Sequence, residues 1–277
     1  MPEARVAEAA VRSPLRWAGS KRNLLNELVC RIPGEIQRYV EPFAGSACLY
    51  FAARPGTAML ADFNDDLITT LQTIKSDAGR LYDAFASMPN DDETYYAVRS
   101  SRPSDSFGSA VRFYYLNRYS FNAVYRTNKN GDFNVPRGRN TGNPPTRESL
   151  VHASAALENA DLFAQDFRVT LSKCEPGDFV YIDPPYLAPS RQTYGEYGYG
   201  SFGKNDVSDL AELMSHLTDQ GTRVLFSFGA VEGFETLLRD WRIARVSPRR
   251  SVAASALKRT RSTTEIIADN YARARKQ

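Results

Sequence analysis

Phe179-Val180-Tyr181-Ile182-Asp183-Pro184-Pro185-Tyr186 decides how this chain folds. Its first four residues are apolar, aromatic or β-branched, and the run has the length of a buried strand. The two prolines lack N–H groups, so the ladder must stop there. A carboxylate, a fixed backbone carbonyl and an aromatic ring are thus delivered just past a strand's carboxyl end. Open α/β sheets bind their ligands at that edge. The arrangement suits an amino group conjugated to an aromatic ring, a poor nucleophile because its lone pair is delocalised. Acceptors at Asp183 and the Pro184 carbonyl would hold both N–H bonds and aim the lone pair at an electrophilic methyl, with Tyr186 stacking on the base. Taken alone, the motif also fits an acidic proline turn ending a strand.

Upstream of this motif lie two more strand-like segments. Tyr39-Val40 runs into Glu41-Pro42-Phe43-Ala44-Gly45-Ser46 and a helix through Leu49, Tyr50 and Phe51. Ala58-Met59-Leu60-Ala61 ends at Asp62 and is followed by a helix carrying Leu67, Ile68, Leu71 and Ile74. Strand, turn, helix, strand and acid in this order resemble a nucleotide-binding βαβ unit, although the glycine signature is thin. Ahead of them, Leu15–Lys21 opens a helix with apolar positions Leu24, Leu25, Leu28, Val29 and Ile32. Downstream, the sheet is expected to resume near Phe179. It continues through a helix around Val207–Leu217, a strand at Arg223–Phe228, a helix at Phe234–Leu238 and a strand at Trp241–Val246. Ser251–Ala254 and Thr264–Ala268 read as a closing hairpin joined by the basic segment Leu257–Ser262.

Residues 76–160 differ. Helical patterns at Leu81–Ala86, Tyr95–Arg99 and Val111–Tyr119 precede a stretch from Ser120 to Arg147 rich in Asn, Gly, Pro and Arg. A loop of that length in a compact protein is functional or disordered. The expected division is a first sheet half over 13–75, a helical insert over 76–160 and a second sheet half over 161–277.

Composition narrows the class. The 277 residues are 42% hydrophobic and 24% charged, ordinary globular values. No apolar run approaches the roughly 18 residues of a membrane span, and the N-terminus has no signal-peptide core. Cys30, Cys48 and Cys174 are far apart and only His152 and His216 accompany them, so neither a disulfide framework nor a metal site is expected. A reducing cytoplasm is the natural setting. The net charge of +3 hides an asymmetry. Residues 241–277 carry ten Lys and Arg against two acids, and residues 112–139 six against one. Such clusters suit a phosphate backbone, whereas Arg273, Arg275 and Lys276 read as a solvated tail.

In order, these motifs resemble the adenine-N6 DNA methyltransferases of the Dam type, over roughly residues 14–270. Trp17-Ala18-Gly19-Ser20-Lys21 resembles the family's opening motif, and Glu41–Gly45 its first S-adenosylmethionine motif. Ala61-Asp62-Phe63-Asn64 resembles its acidic ribose motif, and Asp183–Tyr186 its catalytic motif. Leu116–Asn122, Tyr125–Asn128 and Gly131–Pro136 look like its DNA-reading segment. Ser20 and Ala47 depart from it, each standing where the family has a glycine.

The resemblance implies a Rossmann-like α/β methyltransferase sheet, mostly parallel with an antiparallel hairpin strand, plus a helical target-recognition insert. It implies catalysis by Asp183, Pro184 and Tyr186, and cofactor binding by Trp17, Lys21, Phe43, Gly45, Asp62 and Asp183. Lys21 would meet the methionyl carboxylate of S-adenosylmethionine, with Trp17 packing beside it; core packing and a solvated charge are the plainer readings of these two. DNA contacts are implied for Arg16, Asn117, Arg118, Phe121, Asn122, Val124, Arg126, Asn128 and Pro136. Lys258, Arg259 and Arg261 are expected on the phosphates. The substrate would be double-stranded DNA, with the adenine of GATC flipped out for methylation. A cognate restriction enzyme acting on the same site is a candidate partner, and a cytoplasmic, nucleoid-associated monomer is expected. Methylation of RNA adenine or of cytosine N4, and a DNA-binding protein on an inactive methyltransferase scaffold, stay open as alternatives.

Overall fold

The computed structural model describes residues 11–128, 130–139, 141–185, 202–229, 238–246 and 265–271. In chain order it contains α1 (Leu25–Val29), β1 (Tyr39–Glu41), α2 (Cys48–Ala53), β2 (Ala58–Asp62), α3 (Asp65–Ala86), α4 (Asp92–Ser100) and α5 (Ser106–Tyr119). Then follow α6 (Arg147–Ala156), β3 (Ala160–Ala164), α7 (Phe167–Leu171), β4 (Phe179–Ile182), α8 (Lys204–Asp219), β5 (Arg223–Gly229), β6 (Arg242–Val246) and β7 (Glu265–Asp269).

The strands form one sheet in the order β3-β2-β1-β4-β5-β7-β6. All neighbours are parallel except β7, which runs antiparallel to β5 and β6. The apolar run that opened the argument is β4, and all four of its residues are buried. Phe179 and Tyr181 face one core with Tyr39, Leu60, Leu225 and Ile267. Val180 and Ile182 face the other with Val40, Met59, Phe226 and Ala268. A parallel strand covered on both faces needs no polar alternation, which is why this segment reads as an unbroken apolar run.

β1 and β4 lie side by side, with Val40 opposite Val180. From β1 the chain crosses to β2 on one side, and from β4 to β5 on the other. The connections therefore diverge and leave a crevice beyond the carboxyl ends of both strands. Side-chain caps fix where α3, α4, α5 and α6 begin. Asn64 accepts from the Leu67 N–H at α3, Asp91 from Thr94 at α4, Asp105 from Gly108 at α5 and Thr146 from Ser149 at α6. Each satisfies a donor the first turn would otherwise leave open. α3 runs through residue 76 with a non-helical Asp77, and packs against α5 and α6.

Two expectations about the sheet are corrected. It resumes at β3, well before Phe179, with all five β3 residues in parallel register with β2. β3 is an edge strand that buries only Ala160 and Leu162, so its apolar signal is weak. β7 is flanked on both sides by antiparallel partners, β5 and β6; on β6 Arg242 stands opposite Asp269 and Val246 opposite Glu265. Residues 251–254 and most of the expected helix at 234–238 lie outside the described residues. Among the described residues, no helix is long and apolar enough to cross a membrane.

Candidate active site

The crevice holds a cavity of about 230 Å³ lined by Trp17–Lys21, Glu41–Ser46, Asp62–Asn64, Asp166, Phe167 and Asp183–Pro185, among others. Gly45 has φ +48°, and a Cβ there would come within 2.9 Å of the Trp17 indole, so only glycine fits on both counts. Its N–H donates to Oδ2 of Asp62 at 2.9 Å, while Oδ1 accepts from the Asn64 N–H at 2.9 Å. Asp62 thus ties the loop after β1 to the end of β2. Burial raises its pKa, and the backbone donors oppose that rise. Ala47, where a glycine was expected from the resemblance, is buried at φ +49° and precedes α2 in the left-handed region.

Asp183 sits at the end of β4 in a network of charge and hydroxyls. Lys21 Nζ lies 2.7 Å from its Oδ1, and Ser227 Oγ donates to the same oxygen at 3.0 Å. The Tyr181 hydroxyl is 2.9 Å from Ser227 Oγ. Lys21 also donates to the Gly19 carbonyl at 3.3 Å and lies 3.9 Å from Glu265. Burial raises the Asp183 carboxyl above its ordinary value, while Lys21 and Ser227 pull it back down. Neither the Lys21–Asp183 pair nor Ser227 is visible in the linear sequence, since Lys21, Asp183 and Ser227 come from distant segments.

A second buried carboxyl, Glu41, accepts from the Tyr39 hydroxyl and, at 3.2 Å, from the Tyr50 N–H. Burial pushes its pKa up to about 8 against these two bonds, with nearby Asp183 adding to the rise. It is therefore a neutral acid at pH 7.

Aromatic rings shape the far end of the cavity. Phe43 stacks on Phe167 with centroids 5.1 Å apart and meets Phe202 edge-on at 5.8 Å. Asp166 caps α7 through the Arg168 N–H at 2.8 Å. The Arg168 side chain bridges Asp166, Asp206 and Asp209. Asp166 and Phe167 were not anticipated as site residues because β3, which delivers them, was not seen in the sequence. Once that strand is placed, an acid just beyond its end is the available signal.

The candidate DNA residues separate by exposure. Phe121, Asn122, Arg126 and Pro136 are exposed on one folded loop. Phe121 is 53% exposed, and its N–H donates to the Pro136 carbonyl. Asn122 and Ala123 follow it at φ +53° and +55°, two consecutive left-handed residues that lack glycine's freedom. Arg126 Nε donates to Asn134 Oδ1 at 2.8 Å. Val124 is half-buried against the core. Asn128 accepts from the Asn130 and Asp132 N–H groups and so holds a turn.

Asn117 is buried, accepting from the Arg16 N–H at 2.9 Å and donating to the Arg16 carbonyl at 2.6 Å. Arg16 in turn donates to the Arg118 carbonyl at 2.9 Å, and Arg118 to the Asn143 carbonyl. Asn117 thus clasps Arg16 rather than facing outward. Trp17 stacks on Tyr125 with centroids 6.0 Å apart, joining the cavity to the same loop. Tyr186, Lys258, Arg259 and Arg261 lie outside the described residues.

Comparison with known proteins matches residues 17–252 to the model of the D12 class N6 adenine-specific DNA methyltransferases. The retron Ec67 DNA adenine methylase of Escherichia coli is 34% identical, covering 94% of this chain and 91% of its own. The DNA adenine methylase of Escherichia coli strain K12 is 32% identical over 88% of this chain and 90% of its own. A type II methyltransferase of Lactococcus lactis, M1.LlaDCHI, is 29% identical over 92% and 94% respectively.

Proposed function

The chain belongs to the D12 class of N6 adenine-specific DNA methyltransferases, and from that premise we propose that it uses S-adenosylmethionine to methylate a flipped adenine within a short duplex sequence. The observation that carries this reading is the cavity where Asp183 and Pro184 meet Asp62, Lys21 and Phe43. The residues fit the donor. Asp62 stands where a carboxylate accepts ribose hydroxyls, Phe43 and Phe167 offer apolar faces to a nucleobase, and Gly45 leaves room for a close approach. Lys21 lines the cavity, and its ammonium can exchange a present contact for the donor's carboxylate while staying on Asp183. Trp17 packs beside it.

When bound, S-adenosylmethionine supplies a methyl group on a positively charged sulfur. Asp183 and the Pro184 carbonyl hold the two N6 hydrogens, which turns the nitrogen lone pair toward that methyl. One N6 proton is then released to Asp183 or to water. Tyr186 stacks on the base. Extruding an adenine costs a few kcal/mol in lost stacking and pairing, and Phe121, exposed on its loop, fills the vacated space.

Residues 13–75 and 161–277 act as the catalytic halves and 76–160 as the target-recognition insert. Arg126 reads a guanine by O6 and N7, the commonest specific major-groove contact. Arg16 meets the first guanine of the site, and Val124 lies near a thymine methyl. Asn122, Arg118, Asn128 and Pro136 complete the loop's approach to DNA, while Asn117 acts through Arg16. This reading names GATC as the target, a monomer in the cytoplasm beside the nucleoid as the working form, and a restriction enzyme of the same specificity as a candidate partner. Modified-base sequencing of DNA from a host expressing the protein tests it. Methylated adenine at GATC is expected; methylation mapped to another motif would reject the site while leaving adenine chemistry intact.

A further inference from the structure

We infer that Ser227 and Tyr181 are positioning residues that fix Asp183 for methyl transfer, by loading one of its oxygens and leaving the other for the adenine amino group. The inference deepens the proposed role of Asp183 and rests on it.

Four observations carry it. Lys21 Nζ and Ser227 Oγ both lie on Oδ1 of Asp183, at 2.7 and 3.0 Å. Among the described residues, both side-chain contacts of the Asp183 carboxylate, from Lys21 and Ser227, fall on Oδ1, and Asp183 lines the cavity. Ser227 has one hydrogen and gives it to a carboxylate, which cannot donate in return, so the Tyr181 hydroxyl must donate to Ser227 Oγ. Both relay residues are buried, with Ser227 fully buried on β5 and Tyr181 6% exposed on β4. Their strands are direct neighbours in the sheet.

A carboxylate on a single flexible bond can rotate and exchange its two oxygens. Two charge-assisted or cooperative donors on one oxygen remove that freedom. The remaining oxygen is then preorganised toward the position where N6 must sit, which is the form of help that most lowers a barrier. Lys21 alone is a rotatable point charge on a long stem. Ser227 adds a direction, and Tyr181 fixes the Ser227 hydroxyl.

The groups facing Asp183 are Lys21 from the loop after residue 16, Tyr181 on β4, Ser227 on β5, Glu265 on β7 and Glu41 on β1. Glu265 and burial raise its carboxyl, whereas Lys21 and Ser227 lower it. Deleting the Ser227 hydroxyl removes one of the lowering groups, so Asp183 should take up its proton at higher pH.

The test is single-turnover methyl transfer from S-adenosylmethionine to duplex DNA across pH, with Ser227→Ala, Tyr181→Phe and Ser227→Thr in the full chain. Ser227→Ala should slow transfer by about tenfold, the loss of one hydrogen bond to a charged group. The acidic limb of its rate profile should move to higher pH, with donor and duplex affinity held within about twofold. Tyr181→Phe, which removes a single oxygen, should shift the limb the same way by less. Ser227→Thr, which keeps the hydroxyl, should restore the profile. Normal rates and an unmoved acidic limb in both Ser227→Ala and Tyr181→Phe would overturn the inference. Asp183→Ala separates the two failures: if it still turns over, the proposed role of Asp183 is wrong, and if it is dead while Ser227→Ala is normal, only the positioning role is wrong.

Discussion

Glu41 and Asp183 are both buried carboxyls lining the cavity, and burial raises the pKa of each, but their partners differ. Asp183 has an ammonium at 2.7 Å, whereas Glu41 has only a phenol and an amide. Neutral donors do not offset the desolvation of a carboxylate as a full charge does. Glu41 therefore stays protonated at pH 7, with its pKa near 8 against an ordinary 4.5. A folded-state pKa above the unfolded one means that stability is lost as pH rises between the two values. Wild-type Tm should fall between about pH 5 and pH 8, and Glu41→Gln, which keeps the acceptor for Tyr39 and Tyr50, should flatten that fall. Thermal melts of the two proteins at several pH values measure it; parallel curves would mean that Glu41 is ionised throughout. Asp183 and Asp62 were legible in the sequence because prolines and a strand end mark their places. The partners of Asp183 were not, because Lys21 and Ser227 reach it only through the fold.

At the level of elements, local chemistry marks some features and misses others. β4 was legible because both its faces are buried, and β3 was not because only one is. The loop before α2 shows a similar limit. A glycine replaced by Ala47 looks harmless in sequence, but the structure puts it at φ +49°. A left-handed alanine is strained by roughly 1–2 kcal/mol, and glycine's extra unfolded-state freedom returns about half of that. Ala47→Gly should therefore raise Tm by a few degrees at most, and tighten donor binding if the strain is carried in the cofactor loop. A lowered Tm would show that burial of the methyl outweighs the strain. The loop from Phe121 to Pro136 makes the matching prediction for recognition. Arg126→Ala should relax discrimination at one guanine by about 1–3 kcal/mol while changing nonspecific affinity little. Competition binding with single-base variants of the duplex reads both quantities, and a uniform loss on all sequences would reassign Arg126 to the backbone.

Among the described residues, the sheet order brings Asp183, Pro184, Asp62, Lys21, Phe43, Gly45 and Trp17 together at one edge. Positive charge is concentrated in sequence instead, with six Lys and Arg against one acid over residues 112–139 and ten against two over 241–277. Substituting Lys258, Arg259 and Arg261 by Gln should weaken binding to all duplexes and reduce the slope of log K against log salt. An unchanged slope with lost selectivity would mean that these residues read bases. The central claim is that Asp183 serves an adenine N6 in a cavity that also holds the donor. Transfer of labelled methyl from S-adenosylmethionine to duplex DNA, followed by nucleoside analysis, tests this most directly. Wild type should yield N6-methyladenine, and soluble Asp183→Ala should yield none or be slower by orders of magnitude. Asp62→Ala should recover much of its rate at high donor concentration. Label on cytosine N4, or near-normal transfer by Asp183→Ala, would contradict the account.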